Sequence, residues 1–410
     1  MTIVDRVKND QEFFKNEKTV CTIKKKQNDI KITLSFIKGL GKIKSEENLD
    51  KLIELYRSQS NIEFKREIIS SIGRQKNNEK ILLFIKDNVY QCGIMDLVYQ
   101  MYRTCLYKEK TNNAFNKLGK EIYNYFDNEV LKKMKYFIDY KQSKKKALPK
   151  QRQIIKPTLL IGDNVETLKT IQEKEIHLIF TSPPYYNARE YSNYRSYKEY
   201  LDKMYATLQE CYRILEDGRF IIINVSPVIT KRPGREFESI RYPIHFDFHN
   251  LLTQAGFYFI DEIQWIKPCF SVKNRNGGYQ QTQKPLSYKP NCINESLLVY
   301  RKTAPFLLDE NIAQYNKKEL VDKDPDFDSS NCWYISPVAN KNHPAVFPEE
   351  LCRKVLTYYS FKTDIVLDPF AGSGTFGKVA NEMNRIPVLC EIDKKYCNLI
   401  KKNLYQWCML

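Results

Sequence analysis

The spacing of hydrophobic residues changes near residue 157 of the chain. Before this point, apolar residues recur at i, i+3 and i+4 among polar ones, a spacing that predicts amphipathic helices over residues 1–140. After it, short apolar runs alternate with amphipathic segments, which is typical of an α/β fold with a parallel sheet. The sequence therefore predicts a helical domain at 1–140, a linker at 141–156 and an α/β domain at 157–410.

The α/β part contains seven predicted strands. They lie at residues 158–162, 176–180, 219–225, 261–267, 295–301, 364–370 and 387–393. Helices are predicted in most of the intervals, notably over 196–215 and 348–360. Strands that alternate with helices in this way favour a doubly wound sheet, which binds its ligands beyond the carboxyl ends of the strands.

The helical part contains an internal repeat. Residues 36–56 align with residues 68–88 at a spacing of 32, so that Gly41 coincides with Gly73 and the apolar positions coincide as well. A glycine after one helix and an apolar stripe in the next describe a helical hairpin. Stacked hairpins of this period form an α-solenoid, and these resemble short HEAT-like repeats. An irregular helical bundle is the alternative.

Charge adds a hint about partners. The 410-residue chain has a formal net charge of +17, which favours phosphate polymers or, less often, anionic membranes. A generally lysine-rich composition explains the charge equally well. The predicted linker contains several basic residues and no acid, as a solvated connection or a phosphate-contacting segment would; they are Lys141, Lys144, Lys145, Lys146, Lys150, Arg152 and Lys156.

Other compositional features narrow the class of protein. The eleven cysteines include no C-x-x-C pair, so neither a zinc site nor a disulfide framework is predicted. The first residues have no apolar core of a signal peptide, and no apolar run has the length of a membrane span. We expect a cytoplasmic, nucleoid-associated protein without a bound metal.

A glycine-rich loop follows the strand at 364–370. Gly372 and Gly374 allow a tight turn and a close approach of the backbone to a ligand. Glu391, at the tip of the next strand, is placed to accept hydrogen bonds from ribose hydroxyls. The loop also fits G-x-G-x-x-G, a weak signal for NAD. Asp368 argues against NAD because its carboxylate would repel a pyrophosphate, and it suits a cationic ligand with an amino-acid tail, such as S-adenosylmethionine.

The run "TSPPYYN" at 181–187 ends another buried strand with two prolines, which cannot continue it. Together with "DPFAGSGT" it resembles the amino-group DNA methyltransferases, which methylate cytosine N4 or adenine N6. The resemblance covers about 158–405, including stretches at 161–180, 214–224, 256–268 and 342–356. The catalytic motif precedes the cofactor motif, as in the β group. The implied fold is a Rossmann-like S-adenosylmethionine-dependent methyltransferase sheet with permuted motif order, preceded by an all-α solenoid-like domain.

The resemblance implies a role for each residue of the catalytic loop. The side chain of Ser182 and the backbone carbonyl of Pro183 would accept the N–H groups of the target amine, localising a lone pair that is otherwise delocalised into the ring. Pro183 and Pro184 would make this backbone rigid. Tyr185 would stack on a base that has been flipped out of the duplex. A strand-ending loop, or a Pro-Pro-Tyr ligand in a disordered tail, is the alternative for this peptide alone.

The resemblance also implies binding residues. Those expected at the cofactor are Asp163, Thr181, His343, Phe347, Asp368, Pro369, Phe370, Gly372, Gly374, Thr375 and Glu391. Asp163 fits equally well as a helix N-cap and His343 as a loop histidine. Target recognition is predicted in insertions near 226–243, 268–292 and 302–333, with DNA contacts from Lys231, Arg232, Arg235, Arg241, Lys273, Arg275 and Lys284.

Serine at position 182 favours cytosine N4, because in this family aspartate or asparagine there goes mostly with adenine N6. The sequence thus predicts a site-specific methyltransferase for double-stranded DNA, the modification component of a restriction–modification system with a separate endonuclease. Methylation of adenine, or of RNA, by the same chemistry is one alternative. A non-enzymatic HEAT-type scaffold that binds DNA or protein is the other.

Overall fold

The structure is a computed structural model that describes residues 21–25, 28–143, 153–187, 194–229, 234, 236–271, 285–286, 292–313, 321–322, 329–338 and 346–407. The chain forms two compact units, Met1–Lys146 and Ala147–Leu410. Each unit has its own hydrophobic core. The division falls inside the segment that the sequence predicts to be a linker.

Seven helices make up most of the described part of the first unit. They are α1 (Leu34–Lys42), α2 (Glu46–Ser58), α3 (Ile62–Gly73), α4 (Asn78–Val89), α5 (Met95–Lys108), α6 (Asn113–Phe126) and α7 (Glu129–Ser143). Side chains cap several of them, as where Ser45 Oγ accepts from Asn48 N at 3.1 Å. Helices α1, α3, α5 and α7 pack one upon the next, and α4 packs on α6. Alternate helices therefore stack in layers.

The repeat-equivalent glycines make equivalent contacts. A Cβ on Gly41 of α1 would lie 2.4 Å from Ser71 Oγ of α3, and one on Gly73 of α3 would lie 2.6 Å from Thr104 Oγ1 of α5. Each glycine thus permits the close approach of the next helix in its layer. The HEAT-like assignment itself stays a prediction.

The helical prediction for residues 1–140 is wrong at one described place. Strands β1 (Cys21–Lys25) and β2 (Asn28–Ile32) form an antiparallel pair with Ile23 opposite Ile30. In β2, Ile30 and Ile32 alternate with polar residues, and this period of two with β-branched residues favours a strand.

An eight-stranded sheet forms the centre of the second unit. Its strands are β3 (Thr158–Ile161), β4 (Ile176–Thr181), β5 (Leu215–Val225), β8 (Phe257–Ile266), β9 (Asn294–Lys302), β10 (Cys332–Tyr334), β11 (Ile365–Asp368) and β12 (Ile386–Glu391). The spatial order is β10-β8-β9-β5-β4-β11-β12-β3. The seven predicted strands are all present, and β10 is one that the sequence did not indicate.

The sheet is mixed rather than wholly parallel, which corrects the sequence prediction. Strand β9 pairs antiparallel with both β5 and β8, while the other ladders are parallel. Strands β8 and β9 are joined through residues 267–293 without an intervening described α-helix, so a crossover that would keep β9 parallel is absent from the described part of this segment. The Rossmann-like class is confirmed.

Helices cover both faces of the sheet. Along β4, Ile179 joins the core beneath α9 (Tyr197–Ile214) and α10 (Ile244–Gln254), whereas Leu178 and Phe180 join the core beneath α12 (Glu349–Tyr359) and α13 (Thr375–Glu382). The remaining elements are α8 (Asn164–Leu168), β6 (Val228–Ile229), β7 (Arg241–Tyr242), α11 (Leu308–Ala313) and α14 (Lys394–Trp407).

The connections diverge at the middle of the sheet. Strands β4 and β11 are neighbours, but the chain continues from β4 to β5 on one side and from β11 to β12 on the other. A crevice opens at such a switch point, beyond the carboxyl ends of the two strands. The catalytic and cofactor loops predicted from the sequence both begin there.

Candidate active site

A buried hydrogen bond joins the two loops. Thr181, the last residue of β4, donates from Oγ1 to Oδ1 of Asp368, the last residue of β11, at 2.6 Å. The backbone N–H of Phe370 donates to the same carboxylate oxygen at 3.0 Å. The structure therefore brings the Ser182–Tyr185 loop against the loop that starts at Asp368, although 187 positions separate the hydrogen-bonded residues.

The glycine-rich loop has the conformation that its sequence predicts. Gly372 and Gly374 have φ values of +53° and +79°, in the left-handed region that favours glycine. A Cβ on Gly374 would also lie 2.8 Å from Ile400 Cγ1 of α14. Gly374 then caps α13, which Thr375 begins. Gly377 serves packing, because a Cβ there would lie 2.6 Å from Leu389 of β12.

Glu391 holds this loop from the neighbouring strand. Its Oε2 accepts from Gly372 N at 2.7 Å, and its Oε1 accepts from Ile392 N at 2.9 Å and Asp393 N at 2.8 Å. Burial raises the pKa of Glu391, and these three donors oppose the rise. A carboxylate has about four acceptor positions, so capacity remains for hydroxyl donors of a ligand.

The donors and charges of this edge fit S-adenosylmethionine. Burial raises the pKa of Asp368 from its usual value near 3.8 to about 7, although the hydrogen bonds from Thr181 and Phe370 lower it. A cationic ligand beside this carboxylate would favour its charged form. Asp368 and Glu391 are the residues that would hold the amino and ribose groups, and the bare backbone at Gly372 leaves room for close approach.

Three further predicted cofactor residues have structural contacts of their own. Asp163 caps α8 by accepting from Val165 N at 3.0 Å, and it pairs with Lys203 Nζ at 2.5 Å. Burial raises its pKa, but the Lys203 ammonium and the N–H donors lower it, and the net direction is downward. Phe347 stacks on Phe180 of β4 at a centroid distance of 4.6 Å. Thr375 Oγ1 lies 3.1 Å from Ser373 Oγ within the glycine-rich loop.

Asn164 supports the cofactor loop and was not singled out in the sequence. Its Nδ2 donates to the carbonyl oxygen of Pro369 at 3.2 Å, and its Oδ1 accepts from Thr207 Oγ1 at 3.2 Å. Asn164 is buried, so these bonds tie the loop after β11 to helices α8 and α9. The only signal in the sequence was a polar residue at the start of a predicted helix, and this signal does not predict a contact with Pro369.

The two tyrosines of "TSPPYYN" have different surroundings. The hydroxyl of Tyr185 donates to Glu295 Oε2 at 3.2 Å. Burial, and next the Glu295 carboxylate, raise the pKa of Tyr185 well above its usual range. Tyr186 instead packs against Tyr197 and Tyr242, with ring centroids 5.1 and 4.9 Å away. Tyr186 therefore anchors the loop in the core.

Three polar residues lie at the same edge of the sheet as the Ser182–Tyr185 loop. Asn224, near the end of β5, donates from Nδ2 to Glu295 Oε2 at 2.5 Å and lies 3.5 Å from Ser182 Oγ. Lys267, just after β8, forms an ion pair with the other Glu295 oxygen, Oε1. Glu295 reaches this edge because β9 is antiparallel and presents its amino end where the parallel strands present their carboxyl ends. The sequence prediction singled out none of the three, and it missed Glu295 because it assumed a parallel sheet, in which the amino end of β9 would lie at the opposite edge.

Many predicted DNA and cofactor contacts lie outside the described residues; these are Lys231, Arg232, Arg235, Lys273, Arg275, Lys284 and His343. Arg241 is exposed on β7, which pairs with β6 as an antiparallel ribbon within the predicted 226–243 insertion. Within the described residues, no cluster of side chains has the composition of a metal site. No helix in that same portion is long and apolar enough to cross a membrane.

Comparisons with known proteins find similar sequences among DNA methyltransferases. A family model described as a DNA methylase, for the N6/N4 class, matches residues 176–402. Type II beta methyltransferase M.BslI of Bacillus sp. (strain NEB-606) is 29% identical over 59% of this chain, a region that spans 27% of M.BslI. DNA adenine methyltransferase YhdJ of Escherichia coli (strain K12) is 27% identical over 59% of this chain and 80% of YhdJ.

A solved structure gives a similar alignment. It is a DNA modification methylase of Thermus thermophilus complexed with S-adenosyl-L-methionine, 25% identical over 61% of this chain and 94% of its own, with a TM-score of 0.46. The matched family is one of S-adenosylmethionine-dependent methyltransferases, so the predicted cofactor is confirmed. Since the family model covers more than half of the residues, the chain belongs to the N6/N4 DNA methylase family.

Proposed function

We propose that the protein is a site-specific DNA methyltransferase that modifies the N4 amino group of a flipped cytosine. The observation that carries this proposal is the 2.6 Å hydrogen bond between Thr181 and Asp368, because it joins a loop of amine acceptors to a loop suited to a cationic nucleoside. S-adenosylmethionine supplies an electrophilic methyl group when bound.

The residues of the chain act on the amine by positioning it. Ser182 Oγ accepts one amine proton, and the carbonyl between the two prolines accepts the other, which orients the nitrogen lone pair toward the crevice. Pro183 is buried and Pro184 half-buried, so the backbone that presents this carbonyl is held on both sides. Asp368 and Glu391 hold the cofactor from the neighbouring strands. No covalent enzyme intermediate is required.

Cytosine is the proposed base because Ser182 occupies the first position of the loop. A neutral hydroxyl is a weaker acceptor than a carboxylate, and the Ser-Pro-Pro-Tyr form goes with N4 of cytosine in the resemblance described above. Adenine N6 is the second candidate, and the similarity to YhdJ, named as a DNA adenine methyltransferase, favours it. Both amines are exocyclic and need the same pair of acceptors.

The biological setting follows from the relatives. M.BslI is named as a type II beta methyltransferase, which supports a role as the modification component of a restriction–modification system. We therefore propose double-stranded DNA as the substrate and a separate endonuclease that cuts the same site as a partner. DNA methylated by this protein should then resist that endonuclease.

The test combines unmethylated DNA of diverse sequence, labelled S-adenosylmethionine and the purified protein, followed by mass spectrometry of the digested nucleosides. We expect N4-methylcytosine, and we expect Ser182→Ala to abolish it while cofactor binding is retained. N6-methyladenine would overturn the choice of base but not the reaction class. Cofactor binding without any methylated nucleoside in DNA would reject the proposed substrate.

A further inference from the structure

Three loops of the first unit lie next to one another along one edge of the helical stack. They join α1 to α2, α3 to α4 and α5 to α6, over residues 43–45, 74–77 and 109–112. Gln75 of the second loop is buried and binds the first, since its Nε2 donates to Leu40 O at 3.2 Å and its Oε1 accepts from Ser45 N at 3.2 Å. Lys108, where the third loop begins, donates to Gln75 O at 3.0 Å and to Asn78 Oδ1 at 2.8 Å. These bonds hold the three loops in a row.

Each of these loops carries one exposed lysine: Lys44, Lys76 and Lys110. Lys44 and Lys76 occupy equivalent positions of the 32-residue repeat. Among the described residues, no carboxylate forms an ion pair with any of the three. Burial, and next the Lys44 ammonium, lower the pKa of Lys108. Positive charge from the first loop therefore acts on the start of the third without a compensating acid.

Most acidic side chains beside the loops are paired with lysines of the helices. The pairs are Glu46–Lys80 at 3.8 Å, Glu47–Lys51 at 2.6 Å and Glu109–Lys135 at 3.1 Å. Glu79, in the first turn of α4, is exposed and has no such partner in the described part of the chain. Lys42, at the end of α1, is a further exposed cation. The row of loops therefore keeps an excess of positive charge at its surface.

We propose that these three loops, here called the basic edge, bind the phosphate backbone of duplex DNA through Lys44, Lys76 and Lys110 without reading its sequence. The inference goes beyond the proposed function, because it concerns the first unit alone and a surface that takes no part in the methyl transfer. The chain belongs to a family of DNA methylases, so a phosphate polymer is a partner that the family encounters.

The dimensions and the chemistry of the basic edge suit this partner. Packed helices lie about 8–10 Å apart, so a row of three loops is about 20 Å long. This length corresponds to about six base pairs at about 3.4 Å each. A lysine ammonium is a compact charge on a flexible stem, which contacts a phosphate without the fixed geometry that base recognition needs. Phosphate contacts of this kind position a protein on DNA but carry no sequence information.

The test measures the affinity of the full-length protein for a DNA duplex at a series of salt concentrations. The loop variant combines Lys44→Gln, Lys76→Gln and Lys110→Gln. We expect the plot of log affinity against log salt to become less steep by about 2–3, because each phosphate contact contributes about 0.9 to the slope. Affinity at low salt should fall by about 10-fold or more. Duplexes of unrelated sequence should show the same loss.

The matched control removes the same formal charge from the same unit. It combines Lys86→Gln, Lys117→Gln and Lys120→Gln, which replace exposed lysines of α4 and α6 outside the three loops. The control should keep the slope of the unaltered protein. Both variants should unfold at the same urea concentration as the unaltered protein, because all six side chains are exposed.

Two results would overturn the proposal. One is an equal change of slope in the loop variant and the control, which would mean that net charge alone sets DNA affinity. The other is unchanged DNA affinity in a loop variant that no longer binds vesicles of phosphatidylserine and phosphatidylcholine, which would assign the basic edge to a membrane surface. The measurement requires no methyl transfer, so a failure of this proposal is distinguishable from a failure of the proposed function.

Discussion

The cofactor loop and the catalytic loop lie side by side but are held in different ways. The cofactor loop is fixed mainly within its own strand–helix–strand unit: Asp368 binds Phe370 N, and Glu391 binds Gly372 N, nineteen positions away. The catalytic loop depends on Glu295, 110 positions from Tyr185. The cofactor loop could therefore be predicted from sequence, because its partners are close in the chain. The contacts of the catalytic loop could be predicted only with the strand order of the whole sheet.

The largest expected effect concerns the pH dependence of stability through Asp368. Because its folded pKa, about 7, is raised above the usual 3.8, its contribution to stability is present below pH 4 and is lost as pH rises through 7. Asp368→Asn removes this titration. Across that window in the absence of cofactor, the unfolding free energy of the unaltered protein should fall relative to the variant by up to about 4 kcal/mol, given about 1.36 kcal/mol per pKa unit.

Urea unfolding at a series of pH values checks this prediction. At pH 8, saturating S-adenosylmethionine should raise the unfolding free energy of the unaltered protein more than that of the variant. The reason is that the charged Asp368 carboxylate then gains a cationic neighbour. If the two proteins differed in unfolding free energy by the same amount from pH 4 to pH 8, the pKa of Asp368 would not be raised in the folded protein. Ionisation of Asp368 would then not destabilise the cofactor loop.

The ion pair behind the catalytic loop provides the next comparison. Lys267→Met leaves the Glu295 carboxylate largely buried without its cation, and removal of one partner from a buried pair costs about 3 kcal/mol. We expect the unfolding free energy, measured with urea, to fall by this amount and the cofactor affinity to change little. Lys267→Met combined with Glu295→Leu should recover part of the stability but not the activity. If Lys267→Met also weakened cofactor binding by a similar free energy, the ion pair would stabilise both loops and not the catalytic loop alone.

A backbone change isolates the cofactor loop. Gly374→Ala places a Cβ at a φ of +79° and 2.8 Å from Ile400, so we expect about 2 kcal/mol of destabilisation, since the left-handed conformation alone costs about 1–2 kcal/mol. Cofactor affinity should fall, measured by calorimetry. Gly39→Ala is the matched control: Gly39 lies within α1 with no atom within 4 Å of an added Cβ, and alanine should stabilise a helix interior by up to about 1 kcal/mol.

The limits of sequence prediction follow the same division. The turns at Gly372 and Gly374 and the carboxylate at Glu391 were predictable because the residues that require them are close in sequence. Glu295 was inside a predicted strand but had no visible role, since only the antiparallel direction of β9 brings it to the active edge. Asn164 was missed for a related reason, because its partner Pro369 lies 205 positions away. The β1–β2 pair was overlooked because the helical pattern was extended over it.

The smallest effect is expected at the bond that joins the two loops. Thr181→Val removes the hydroxyl that donates to Asp368 but keeps the shape of the side chain, and loss of a buried hydrogen bond costs about 1 kcal/mol. The cost is limited because Asp368 can take up a proton when it loses a donor. Thr181→Ser retains the hydroxyl and is the matched control. Cofactor affinity and single-turnover rate should both fall in Thr181→Val, since this hydrogen bond joins the two loops, whereas Gly374→Ala should act mainly on cofactor affinity. If Thr181→Val altered only one of the two quantities, the hydrogen bond would belong to one loop alone, and the two halves of the site would be coupled through the sheet rather than through this contact.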